Sequence, residues 1–239
     1  MRGMTMTSLL LAAVLAAEAA SPTPAAVDAY VAEVARIEAS RTPQSLEPLL
    51  AAAEKVQAEV MAIDQEQAWI EHLPEAEYEA LKAKLRGLVL SRGFDVYAQP
   101  DPDFMLRLAD ARGRDADRDF FRVYRQHWGA ELVPVFLSLT ARPTPCVRFG
   151  EGVIPGIYDA WRGFVARHPD AYAGFAVQAI NDLEEAVALG TCACGDTASV
   201  LAEEKGFLER FPDTRVAGQI RSRMQQLRDD PDERPVRCR

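Results

Sequence analysis

Apolar residues recur three and four positions apart along nearly every segment of this 239-residue chain. One face of an α-helix buries that spacing, whereas a strand would leave half of it in water. In 24–40, PAAVDAYVAEVARIEAS, Val27, Tyr30, Val31, Val34 and Ile37 share a face. Segment 44–72 repeats the pattern with Leu46, Leu49, Leu50, Val56, Val60 and Ile63, set among Ala, Glu and Gln, all good helix formers. Pro74 interrupts, and EAEYEALKAKLRGLVLSRG resumes with Tyr78, Leu81, Leu85 and Leu88, Gly93 serving as the stop. No stretch alternates apolar and polar residues long enough to demand a strand. The best candidate, FDVYA at 94–98, stands alone. The expected fold class is all-α, a multi-helix array of antiparallel hairpins.

The chain opens MRGMTMTSLLLAAVLAAEAASPTP. One positive charge at Arg2, an apolar run from Leu9 to Ala17 and the small-x-small pattern Ala17-Glu18-Ala19 read as a secretory signal peptide over 1–19. The run falls short of the roughly 20 apolar residues that span a bilayer. No cysteine precedes Cys146, so nothing at the cleavage point can take a lipid. The reading is a protein without an integral membrane segment once cleaved, its mature chain starting near Ala20. With 23 Arg against 4 Lys, the bias suggests a GC-rich bacterial genome, hence a periplasmic or secreted protein. The net charge is -9, which repels nucleic acid and anionic lipid.

Two breaks divide the chain. QPDPDF at 99–104 is the first, with short helices expected at 102–111 and 116–129. The second, 141–156, carries three prolines and three glycines. The expected organisation is an N-terminal helical region 20–140 and a C-terminal hairpin region 141–239, or one continuous domain 20–239. Within the latter region Phe164-Val-Ala-Arg-His-Pro169-Asp170 returns 43 residues later as Phe207-Leu-Glu-Arg-Phe-Pro212-Asp213. Each copy ends a helix, turns through Pro-Asp and opens another. Two hairpins follow: 155–168 with 170–189, and 196–211 with 213–229. This corner resembles the tetratricopeptide-like repeat proteins, in which a helix ends in an aromatic residue and Pro-Asp opens the next repeat. The period departs from the family's value of about 34. The resemblance implies a helical scaffold that binds proteins or peptides, and it transfers no functional residue.

The four cysteines are Cys146, Cys192, Cys194 and Cys238. Counting helices places all four at one end of the hairpin pair, with the Pro-Asp corners at the other. A bridge between Cys192 and Cys194 would close too small a ring. Each is therefore expected to reach elsewhere, one to Cys146 and the other to Cys238, as structural disulfides in an oxidising compartment. A metal or thiol-exchange role for the Cys192/Cys194 pair is the alternative. Zinc sites, however, favour C-x2–4-C spacing, and no His or Met cluster accompanies the pair to suit Cu(I).

Other candidate sites read as structure. DARGRDADRDF (110–120) gathers Asp110, Asp115, Asp117 and Asp119 and imitates the opening of a calcium loop. Phe120 stands where that loop needs Gly and Gln126 where it needs Glu, so the segment reads as a helix-capping turn. FGEGVIPG (149–156) follows no strand and leads into a helix whose expected first residue is Pro155. Glu71 and His72 are adjacent, and side chains 100° apart on a helix share work poorly. The histidines, His72, His127 and His168, match no metal spacing. No cofactor, metal ligand or catalytic residue is expected. The functional expectation is a non-catalytic exported protein that binds a protein or peptide in the cell envelope. The alternative is a hydrolase whose Asp and Glu side chains converge only in three dimensions.

Overall fold

The computed structural model describes residues 24–64, 67–93, 96–129, 132–139, 145–190 and 192–229. The expected signal peptide lies outside them. Helices joined by short turns make up most of the described chain, with three two-stranded antiparallel hairpins between them. The all-α reading holds, although two helices stop earlier than the spacing suggests.

Helices α1 (Ala25–Ala39) and α2 (Glu47–Val60) pack together through Tyr30, Val34, Ile37, Leu49, Val56 and Val60, all from the predicted faces. The pattern fails at Ile63, which is 79% exposed. There a hairpin, β1 (Ile63–Asp64) with β2 (Gln67–Ala68), turns the chain back into a 3-10 turn at Trp69–His72. A continuous helix would carry Ile70 about 15 Å beyond Val60; the hairpin returns it to full burial.

The second overshoot is at Leu88. Helix α3 (Glu75–Lys84) ends before Gly87, whose φ of +83° suits a residue without a Cβ. A Cβ there would also stand 2.2 Å from the Phe104 ring. Strand β3 (Leu88–Arg92) then pairs with β4 (Val96–Pro100), so the lone strand candidate has its partner in what read as helix. Leu88 and Leu90 are buried and Val89 points outward, a period of two. Gly93, expected to stop a helix, follows a strand instead.

Helix α4 (Pro102–Arg112) starts as its sequence dictates: the Asp101 carboxylate accepts from the amides of Asp103 (2.9 Å) and Phe104 (3.2 Å), with Pro102 first in the helix. Helix α5 (Asp115–His127) and the hairpin β5 (Leu137–Ser138) with β6 (Cys146–Val147) lead to helices α6 (Val153–Arg167), α7 (Ala173–Leu189), α8 (Thr197–Arg210) and α9 (Ala217–Asp229). Pro155 is third in α6, not first, still within the turn whose amides lack intrahelical acceptors. The repeated Pro-Asp corners share one geometry. His168 (φ -135°, ψ 65°) and Phe211 (φ -129°, ψ 65°) donate back to the carbonyls of Phe164 (2.9 Å) and Phe207 (2.8 Å). The following proline, with no N–H, then ends each helix.

The apolar core runs without interruption from Ala26 to Leu227. Phe120 sits in it, stacked on Tyr172 at 3.8 Å and meeting Phe121, Trp161, Phe164 and Phe175 edge-on. Beside them one carboxylate, Asp117, is 2% exposed. Its Oδ1 accepts from the Leu46 amide at 2.8 Å and from the Tyr172 hydroxyl, and its Oδ2 from the Arg114 amide at 2.8 Å. Tyr172 holds a left-handed φ of 52°, costly for an aromatic residue. Its amide donates to Glu47 while its ring lies on Phe120, so three contacts offset the strain.

Removing this carboxylate strands three donors. Asp117→Ala should cost about 3–5 kcal/mol and Asp117→Asn clearly less, read by urea unfolding; a loss under about 1 kcal/mol for Ala would contradict the role. His127 gives a pH prediction. It is buried, accepts from Trp161 Nε1 at 3.0 Å, and burial pushes its pKa down to about 4. Between pH about 6.5 and 4 the unfolded chain therefore binds the extra proton, and stability falls on acidification, by about 3 kcal/mol over the whole window. Unfolding titrations should show that slope flattened in His127→Gln.

Candidate functional site

The acidic cluster of 110–120 is spent on structure. Asp117 is the buried cap just described. Asp119 faces His168 Nε2 at 3.0 Å, Arg167 at 3.2 Å and Arg122 at 3.2 Å, and the first two, His168 foremost, hold its carboxyl below the usual range. Asp115 pairs with Arg118 and Asp110 with Arg122 at 3.5 Å. Glu71 accepts from the Ala68 amide at 2.8 Å and closes the 3-10 turn that also carries His72. The three histidines lie apart: His72 in that turn, His127 in the aromatic core, His168 at the end of α6. Among the described residues no group of three or more His, Cys, Asp or Glu side chains is placed to hold a metal ion.

Cys146 and Cys194 form a disulfide across a sequence separation of 48, one of the two orders left open. Strand-like bonds align the segments: the Val147 amide donates to Cys192 O (2.7 Å) and the Cys194 amide to Val147 O (2.9 Å). Cys192 is not a free thiol; Cys238 lies outside the described residues. Nearby are buried charges that no motif announced. Glu204 is fully buried, with Arg223 Nε 3.0 Å from its Oε1 but not aligned for a hydrogen bond. Burial pushes its pKa up to about 7 against the pull of that arginine. Arg223 also donates to the Val187 (3.2 Å) and Gly190 (2.5 Å) carbonyls at the end of α7. Glu203 accepts from the Gly150 (3.0 Å) and Gly152 (3.3 Å) amides, so the glycine-rich lead-in to α6 is satisfied by the chain's own carboxylate. Glu184 takes the hydroxyls of Tyr158 (2.8 Å) and Thr214 (2.6 Å) and the Arg215 guanidinium at 2.5 Å. Each of these acids has a protein partner.

A groove of about 380 Å³ opens over α4, lined by Phe104, Arg107, Leu108, Ala111 and Arg112 with Glu38 from the end of α1. At 100° per residue, Phe104, Leu108 and Ala111 form an apolar floor, while Arg107 and Arg112 fall about 140° apart on opposite rims. Glu38 pairs with Arg86. The acids within a turn of the two rim arginines are also engaged: Asp103 with Arg125, Asp110 with Arg122 and Asp115 with Arg118. Arg107 and Arg112 therefore have no carboxylate partner among the described residues. Sequence reasoning missed them, because the surrounding acids are numerous enough to pair every arginine. The available signal was FxxRLxxAR on a single helix face, an apolar stripe edged by cations.

No protein-family model, curated protein or solved structure matches the chain.

The buried pair gives a prediction. Arg223→Leu leaves Glu204 without its cation and two carbonyls without donors, a loss of about 3–5 kcal/mol. Adding Glu204→Leu should recover part of it in guanidinium unfolding, whereas additive losses would show the two charges to be independent.

Proposed function

We propose that this is a non-catalytic helical protein, exported to the periplasm or cell exterior, that binds a protein or peptide partner in the cell envelope through the groove on α4. The observation that carries the reading is the groove itself, an apolar floor between two arginines that the fold leaves unpaired. Concave, largely apolar surfaces with a few fixed polar groups are where proteins take ligands. Export is supported by the N-terminal pattern of the sequence and by the Cys146–Cys194 bond, which persists in an oxidising compartment. Among the described residues no helix is long and apolar enough to cross a membrane. The buried carboxylates Asp117, Glu184, Glu203 and Glu204 are engaged by the chain's own donors and cations, and Glu38, the acid lining the groove, is held by Arg86.

The test is site-specific photo-crosslinking in the native envelope fraction. A crosslinker at Ala111, in the groove floor, should capture a discrete polypeptide. One at Val177, exposed on α7, should not. Equal labelling from both positions, or none from Ala111, would refute the groove as the binding surface.

A further inference from the structure

We infer that the α4 groove recognises carboxylates: its occupant is an extended peptide segment carrying acidic residues two positions apart. This rests on the peptide-binding reading above and specifies the partner's chemistry. The first ground is charge that the fold leaves over. Of the arginines in the described residues, most face a carboxylate within 4 Å, including Arg36, Arg86, Arg118, Arg122, Arg125 and Arg162. Arg107 and Arg112 do not, in a chain whose net charge is -9 and whose acids outnumber its bases. The acids that helical spacing offers them are taken by other arginines, so their charges face outward and uncompensated.

The second ground is where the neighbouring chain lies. The Gln44 amide donates to Arg112 O at 2.7 Å, and Gln44 pairs with Gly113 as an isolated bridge. That junction brings two more exposed arginines without carboxylate partners, Arg41 and Arg114, to the same end of α4. The result is a local excess of guanidinium on an acidic protein. Screening at physiological salt has a length of about 8 Å, so a ligand in the groove feels these arginines more than the distant net charge. Guanidinium forks bind carboxylates through paired N–H donors.

The third ground is spacing. Five residues of helix separate Arg107 from Arg112 by about 7.5 Å along the axis. Side chains two apart on an extended peptide repeat at about 6.8 Å. An acidic-apolar-acidic tripeptide therefore presents carboxylates near the pitch of the two rims. The middle side chain projects to the opposite face of the extended peptide, and the methylene stems of the two acidic side chains lie over the apolar floor at Phe104.

The experiment titrates the full chain, disulfide intact, with fluorescein-labelled octapeptides. One carries Glu-Leu-Glu in neutral flanks, one Gln-Leu-Gln and one Lys-Leu-Lys. Anisotropy should show the glutamate peptide binding at least tenfold more tightly than the glutamine twin, with the preference shrinking as salt rises. The variant R107Q/R112Q should lose that preference while R221Q, on α9, keeps it, and R107E/R112E should turn it toward the lysine peptide. All three positions are exposed helix surface, and circular dichroism checks that each variant folds. Equal affinity for the glutamate and glutamine peptides would overturn carboxylate recognition while leaving peptide binding standing. Absence of binding by all three peptides, with the Ala111 crosslink still formed, would overturn this peptide class but not the groove; absence of both would overturn the parent reading too. Arginine-dependent binding to phosphatidylglycerol vesicles in place of peptides would overturn it in favour of an anionic membrane surface.

Discussion

The fold turns on one buried carboxylate. Apolar contact joins α2, α5 and the α6–α7 corner, but apolar contact has no direction and would permit several registers. Asp117 supplies the direction, because a charge with 2% exposure is tolerated only where its lone pairs are met. Three donors from three parts of the chain meet them: the amide opening α2, the amide opening α5, and a hydroxyl from the residue that opens α7. The left-handed backbone at Tyr172 follows from this arrangement. Its hydroxyl, ring and amide have three fixed destinations, and φ yields to satisfy them.

What the sequence made legible was whatever period and capping decide locally. Helices α1 and α4 to α9 lie close to where apolar spacing, Asp101, Pro102 and the Pro-Asp corners put them. The overshoots arose where two periods coincide. Leu85 and Leu88 satisfy a helical spacing, but Leu88 and Leu90 equally satisfy a strand, and Gly87 decides between them through its φ and the nearness of Phe104. Ile63 fitted the helical face, yet Ile70 had to return to the core. The capping role of the 110–120 acids was readable; that one of them would be buried among aromatics was not. The repeated Pro-Asp corner was readable from its own residues, and its two copies match in dihedral angles.

The candidate site was less legible because charge pairing is tertiary. AEEKGF looks like a solvated stretch, yet Glu204 stands on the same face of α8 as Val200 and Phe207, and Arg223 on that of Ile220 and Leu227. A charge at an apolar position on each of two neighbouring helices was the available sign of the buried pair. For α4 the sequence shows acids beside every arginine. Only the folded chain assigns Asp103, Asp110 and Asp115 elsewhere.

The two ends of the hairpins are held by different physics, and this bears on how α4 is presented. At the Pro-Asp corners, proline and buried aromatic residues are joined by side-chain contacts such as His168 on Asp119 and Thr214 on Glu184. The opposite turn, GTCACGD, has no large apolar side chain to bury, so a disulfide, strand bonds through Val147 and the Arg223 guanidinium on Gly190 fasten it instead. By loop-closure entropy the cross-link is worth about 4 kcal/mol, a local fastening added to a core that spans the whole described chain. Helix α4 needs no such staple. Its start is fixed by the Asp101 cap, its inner face by Met105, Leu108 and Ala109, and its end by Gly113, where a Cβ would stand 2.6 Å from the Ala109 carbonyl. The missing side chain lets the chain turn tightly enough for Gln44 to bond alongside. Arg107 and Arg112 are thus carried by an element fixed at three places, and a ligand that meets them need not bear the cost of ordering the backbone beneath.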